Sequence, residues 1–343
     1  MVLVIDAQVA GVSGDMLLCG LVNIGANRSK IIDGIRIAES LCKDVKVKKI
    51  DFLEVKKNSL QATELLLDID DDTQERKGTE IKEIIEKSVE KLKISGQAKI
   101  FAIKTIETLI RAEAKIHGEP EESVYFHEAA SFDTVVDILG TAIAIDDLGC
   151  FDDDIVVTPV AIGGGTVTFS HGISSNPTYA VLEIFRESGI ITAGGNVKDE
   201  LTTPTGASIL VNLARECSEF YPPMKIQSIG YGAGQKDFEE FSNVLKIVRG
   251  VLSTKLQLDT VKILETNVDD VSGEVLGNMI EKIMAHGAKD VTISSAITKK
   301  GRPTNLVSVI CDSDTMNSIM DLLVTETGTL GVRVRTSQRY IVP

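Results

Sequence analysis

The order of periodicities in residues 259–343 constrains the fold most. Residues 261–268, 290–297, 306–311 and 329–334 read as strands, and residues 273–285 and 315–325 carry the apolar spacing of amphipathic helices. Strand, helix, strand, strand, helix, strand is the split βαβ order of a ferredoxin-like sandwich. A hinge is expected at residues 252–258, dividing the chain into domains at 1–254 and 259–343.

Residues 1–254 mix both periods without clean βαβ alternation. A short β-branched run at residues 2–5 leads through Ala10-Gly-Val-Ser-Gly14 into a helix at residues 14–24. Further helices are expected at 29–41, 79–92, 96–116, 131–148, 179–187 and 204–217. Strands are expected at 45–55 and 62–70, with a glycine-rich β stretch at 155–169. The predicted class is α/β or α+β: a mixed N-terminal domain plus a C-terminal ferredoxin-like βαββαβ domain. With no Trp, 5 Tyr and 10 Phe, the cores must be aliphatic.

A formal charge of −14 offers no basic face for the phosphates of a duplex, so nucleic acid is not an expected partner. No apolar run approaches the ~18 residues that a membrane span needs. The N-terminus opens on a strand rather than a basic, apolar leader, so a soluble cytoplasmic protein without membrane partners is expected. Five scattered cysteines without CxxC spacing read as free thiols in a reducing compartment.

Residues 125–137 (YFHEAASFDTVVD) gather polar groups where a helix begins. Asp133 and Asp137 are four apart and share one helical face, while Val135, Val136, Ile138 and Leu139 make the rest of that helix apolar. Like charges so spaced repel by ~0.2–0.5 kcal/mol when exposed and by more when dry. A cation, a basic side chain or a substrate is therefore expected against them. The alternative is structural: Asp133 assists the helix N-terminus and Asp137 pairs with a Lys or Arg. His127 and Glu128 are metal-ligand or acid–base candidates, since imidazole and carboxylate suit a borderline divalent ion. His127, Glu128, Asp133 and Asp137 form the predicted catalytic and metal-binding set.

Other stretches suit an anion or its counter-ion. Gly163, Gly164 and Gly165, with His171 after them, let backbone approach a ligand closely, although a tight hairpin uses the same glycines. Thr203 can cap a helix that opens on Pro204, and the hydroxyls of Thr202, Thr203 and Thr205 add donors there. The turn carrying Ser13 and Asp15 has similar logic, but GVSGD is neither a P-loop nor GxGxxG. Towards the C-terminus, alternation puts Glu265, Asn267 and Asp269 on one strand face, an oxygen set suited to Mg2+ or Mn2+. Lys299, Lys300 and Arg302, with Arg333 on the last strand, could hold a polyphosphate or form a solvated basic turn.

In order along the chain, GVSGDM (11–16), AEAKIHG through DTVVDILG (112–140), GGGTV…HG (163–172), ELTTPTGA (200–207), YGAG (231–234), ETNVDD (265–270), KKGRP (299–303) and TLGVRV (329–334) resemble the LarC family of CTP-dependent nickel insertases. The resemblance implies insertion of Ni2+ into pyridinium-3,5-bisthiocarboxylic acid mononucleotide, a small-molecule substrate that supplies the sulfur ligands. It implies CTP bound with Mg2+ or Mn2+ by the ferredoxin-like domain, and homo-oligomers formed through that domain. Under it, His127, Glu128, Asp133 and Asp137 handle nickel or accept the proton lost when ring carbon C4 bonds to nickel. Our own expectation is that residues 202–206 or 163–165 hold the mononucleotide phosphate. Three features depart from the family pattern: the loop at 70–77 has no His, HEVGA becomes HEAAS at 127–131, and members typically continue for several dozen residues past the position of Pro343. The same residues also suit a metal-dependent phosphohydrolase or nucleotidyltransferase, or a non-enzymatic nickel storage or delivery protein.

Overall fold

The computed structural model describes residues 1–71, 73, 76–126, 132–169, 172–195, 197–253 and 257–341. It divides into two compact units, Met1–Ser253 and Thr254–Pro343. In the first, β1 (Val2–Asp6) runs into α1 (Gly14–Asn23) and α2 (Arg28–Glu39), then into β2 (Val45–Lys57) and β3 (Leu60–Asp71). A two-residue β4 (Arg76–Lys77) precedes α3 (Gly78–Lys91) and α4 (Gly96–His117), and pairs with β5 (Tyr125–Phe126) ahead of α5 (Asp133–Asp147). Next come β6 (Asp154–Val157), β7 (Val160–Ala161), the paired β8 (Thr166–Phe169) and β9 (Gly172–Ser175), α6 (Tyr179–Phe185) and β10 (Thr192–Ala193). The unit closes with α7 (Pro204–Leu213), β11 (Glu216–Cys217), β12 (Met224–Ala233) and β13 (Val244–Leu252).

Seven of these strands form one mixed sheet in the order β11-β6-β1-β13-β12-β3-β2. β1 lies parallel to β6 and antiparallel to β13. It is buried at every position, which is why residues 2–5 read as an uninterrupted apolar run. Leu3 and Ile5 join the main helical core, whereas Val2 and Val4 join a small cluster with Val156 and Val248. α1 rests directly on β12: a Cβ on Gly232 would lie 1.9 Å from the Met16 carbonyl oxygen, and one on Gly230 would lie 2.2 Å from that of Gly20. Only glycine permits so close an approach.

Two interior strands, β12 and β13, fall where no element was expected. β12 (MKIQSIGYGA) has little period-two alternation, because its glycines serve the helix above it. The helix expected at 204–217 ends at Leu213, and Glu216–Cys217 turns into a strand parallel to β6.

The second unit contains β14 (Gln257–Val268), α8 (Gly273–Ala285), β15 (Asp290–Ile297), β16 (Pro303–Cys311), α9 (Met316–Thr327) and β17 (Arg333–Ile341). The four strands pair antiparallel in the order β15-β16-β14-β17. Leu264, Val307 and Val309 of the sheet meet Met279 and Ile283 of α8 and Ile319 and Leu323 of α9 in one core. The final strand starts later and runs further than residues 329–334. It is an edge strand carrying Arg333, Arg335 and Arg339, so burial leaves no hydrophobic pattern on it. The mixed α/β class is as expected. Among the described residues, no helix is long and apolar enough to cross a membrane.

Candidate functional site

Three helices begin side by side because short backbone segments lock their starts together. The Val12 amide donates to the Leu201 carbonyl at 3.1 Å, and the Thr203 amide donates to the Val12 carbonyl at 3.1 Å. This joins the start of α1 to that of α7. Gly206 makes the contact possible, since a Cβ there would lie 2.4 Å from the Val12 oxygen. The start of α5 is fixed from the sheet: Arg76 donates to both oxygens of Asp71 at 2.6 Å, and Asp71 accepts the Phe132 amide at 3.3 Å. Asp137 then lies against the first residue of α1, with its Oδ2 2.2 Å from where a Gly14 Cβ would stand.

The helix starts border a cleft of about 810 Å³ whose polar lining includes Ser13, Asp15, Glu64, Asp133, Thr134, Asp137, Thr178, Glu200, Thr203, Thr205 and Gln235. Leu65, Leu67 and Ile69 of β3 add apolar wall. None of the described lining residues is a Lys or Arg. Helix N-termini offset part of this negative charge. Asp15 accepts the Met16 amide at 2.8 Å and the Ser13 hydroxyl, and Asp133 accepts the Thr134 amide at 2.7 Å. Glu64 pairs with Lys57 at 2.8 Å.

Proton affinities follow from these surroundings. Burial raises the Asp15 pKa above the ordinary carboxylate value, opposed by hydrogen bonds from Ser13, Met16 and Gln235. Asp137 is raised well above it, first by burial and then by the negative charges of Asp15 and Asp133. Among the described residues no hydrogen-bond donor reaches the Asp137 carboxylate. The structural alternative for this pair is thus half met: Asp133 does serve its helix start, while no described basic residue pairs with Asp137.

Of the sequence-predicted site residues, Ser13, Asp15, Asp133, Asp137, Thr203 and Thr205 line this one cleft. Thr202 is committed elsewhere, donating to the Ala161 carbonyl at 2.7 Å and accepting the Val12 amide at 3.2 Å. Gly163, Gly164 and Gly165 are not among the lining residues. Gly163 and Gly165 adopt φ of +81° and +78° and make room for the neighbouring chain, a Cβ on Gly163 falling 2.0 Å from the Asp199 oxygen. His127, Glu128 and His171 lie outside the described residues. Glu64, Thr178, Glu200 and Gln235 were not anticipated as site residues; Glu64 comes from a strand and the others from loops, Glu200 at the head of the ELTTPTGA stretch but not read there as a ligand. Among the described residues, no three His, Cys, Asp or Glu side chains are grouped so as to hold a metal ion.

In the second unit, Asn267 Oδ1 accepts from Arg333 at 2.9 Å and Glu265 Oε1 accepts from Arg335 at 2.9 Å. Asp269 is exposed, as are Lys299, Lys300 and Arg302. The register Val268↔Asn305, Ile297↔Pro303 and Glu265↔Arg333 sets the basic turn, Asp269 and Arg333 at the same end of the sheet.

The family model described as nickel insertion protein matches residues 3–343. A relative from Methanothermobacter thermautotrophicus is 41% identical over 335 residues, covering 97% of this chain and 79% of its own. The pyridinium-3,5-bisthiocarboxylic acid mononucleotide nickel insertion protein of Acetivibrio thermocellus is 34% identical, covering 97% and 81%. A solved structure described as the C-terminal domain of a cyclometallase involved in the synthesis of the NPN cofactor of lactate racemase is 35% identical, covering 24% of this chain and 58% of that one, with a TM-score of 0.24. The chain belongs to the nickel insertion protein family. It is, with that family, a nickel-inserting enzyme.

Proposed function

We propose that this protein inserts Ni2+ into pyridinium-3,5-bisthiocarboxylic acid mononucleotide with consumption of CTP, and that the acidic cleft of the first unit is where insertion occurs. The observation that carries this reading is the convergence of Asp15, Asp133 and Asp137 at the starts of α1 and α5, in a cleft lined by no described basic residue. Such a cleft favours a divalent cation and a positively charged pyridinium ring. Nickel is substrate here, and its sulfur ligands belong to the thiocarboxylates of the organic substrate. The carboxylates of the cleft would attract the ion by charge rather than as a ligand cluster.

Bonding of nickel to a ring carbon releases a proton, and in this reading Asp137 accepts it. Its burial and its carboxylate neighbours raise its proton affinity, bringing a weak base closer to the strength that general-base work needs. Asp15 holds its geometry through Ser13 and the Met16 amide, so the negative field around Asp137 stays fixed.

We read the second unit as ferredoxin-like and as the CTP site. Its strand order and its single helical core support the first point, and the gathering of Lys299, Lys300, Arg302 and Arg333 at one sheet end supports the second. Mg2+ or Mn2+ belongs to the same reading; on Glu265 and Asn267 it would share these side chains with Arg335 and Arg333, each of which holds one of their oxygens. Self-association through this unit belongs to the same proposal, supported by exposed Val334 and Tyr340 on the edge strand β17.

The test mixes intact protein with Ni2+, the mononucleotide, and either CTP or ATP, and follows pincer-cofactor absorbance. Product with CTP and little with ATP is expected. Turnover of phosphate esters without nickel would favour the phosphohydrolase reading, and stoichiometric nickel binding without CTP consumption the storage reading; either would sink ours.

A further inference from the structure

The cleft is bordered by helix starts of two chemical kinds. α1 and α5 each carry an acid in the first turn, Asp15 and Asp133, which occupies a backbone amide of its own helix. α7 is ten residues long and has no acid in its first turn. It presents Thr203, Pro204 and Thr205 to the cleft. Thr203 Oγ1 accepts the Gly206 amide at 3.1 Å, which leaves its own hydrogen free to donate outward. A helix start without a carboxylate keeps its partial positive charge for an anion from solution.

A second observation is independent of that helix. Thr178 also lines the cleft, is only 4% exposed, and its Oγ1 has no hydrogen-bond partner. A buried hydroxyl left unsatisfied is unfavourable unless a ligand or water completes it. The hydroxyls of Thr178, Thr203 and Thr205 and the start of α7, whose first turn carries no acid, thus add hydroxyl donors to an otherwise acidic cleft.

We infer that the start of α7 and Thr178 form the seat of a phosphate monoester, the phosphate of the mononucleotide substrate. This rests on the nickel-insertion reading for the identity of the ligand. The seat holds the phosphate by hydroxyls and the helix start, leaving the ring to meet Asp15 and Asp137. It also selects between the two stretches that the sequence offered: Gly163 and Gly165 serve the neighbouring chain, and Thr202 serves the Ala161 carbonyl.

Titration calorimetry on the full chain tests this, comparing wild type, Thr178→Val and Thr205→Val with the mononucleotide and with its dephosphorylated nucleoside. Each variant should lose about tenfold or more in affinity for the mononucleotide, the scale of one hydrogen bond to a charged group, and bind the nucleoside as wild type does. Thr178→Val should melt no lower than wild type, because it removes an unpartnered hydroxyl. Equal losses for both ligands, or none for either, would overturn the seat. A wild-type protein that prefers the mononucleotide to the nucleoside yet inserts no nickel keeps the seat and removes the insertion reading. One that inserts nickel yet binds both ligands alike does the reverse.

Discussion

Asp137 carries unfavourable electrostatics that its surroundings leave uncompensated among the described residues. It sits part-buried between Asp15 and Asp133, and burial and both charges raise its proton affinity. Between its ordinary and its raised pKa, the folded protein holds a proton that the unfolded chain has released. Stability is therefore lost as pH rises through that window. Asp137→Asn should remove this slope, so its melting advantage over wild type grows as pH rises above the ordinary carboxylate range. The same variant should lose nickel insertion by roughly 10²–10⁴-fold, the usual worth of a general base. A variant with wild-type activity would assign the proton to another group. The Asp133–Asp137 stripe was legible because helical spacing puts both on one face. The role of Asp15 beside it was not, since no local pattern relates α1 to α5.

Among the secondary-structure elements, glycines decide which helices meet. Gly206 lets the start of α7 touch the backbone of residues 12 and 13, where a Cβ would lie 2.4 Å from one oxygen and 2.7 Å from Ser13 Cα. Gly206→Ala should cost about 1–3 kcal/mol in denaturant unfolding, as overpacking against rigid backbone does, and should reduce nickel insertion. Gly277 in α8 is the contrast: a Cβ there meets nothing within 4 Å. Gly277→Ala should stabilise the second unit by about 0.5–1 kcal/mol, because the glycine carries only its entropic cost. The sequence marked α1 and α7 within a few residues of their observed limits. It did not mark β12, whose glycines serve α1 and erase the alternation that identifies a strand.

For the molecule as a whole, acidity and a local basic turn coexist. The net charge of −14 repels a nucleotide at long range, and in the proposed CTP site Lys299, Lys300, Arg302 and Arg333 would restore attraction at one sheet end. Replacing both Lys299 and Arg302 with Ala should weaken CTP binding in calorimetry, with a reduced dependence on salt. Melting should stay within about 0.5 kcal/mol of wild type, because both side chains are exposed. Unchanged CTP affinity would remove the basic turn from the nucleotide site.

By itself the sequence determined where most helices and strands begin, which helix faces are apolar, and the family to which the chain belongs. Those properties are local or ordered along the chain, so periodicity, caps and motif order record them directly. Only the tertiary structure decided that Ser13, Asp15, Asp133, Asp137, Thr203 and Thr205 border one cleft, that Thr202 and the 163–165 glycines do not, and that Thr178 joins them. Those outcomes depend on how α1, α5 and α7 pack and on contacts that only glycine allows. Neither is written in the spacing of neighbouring residues.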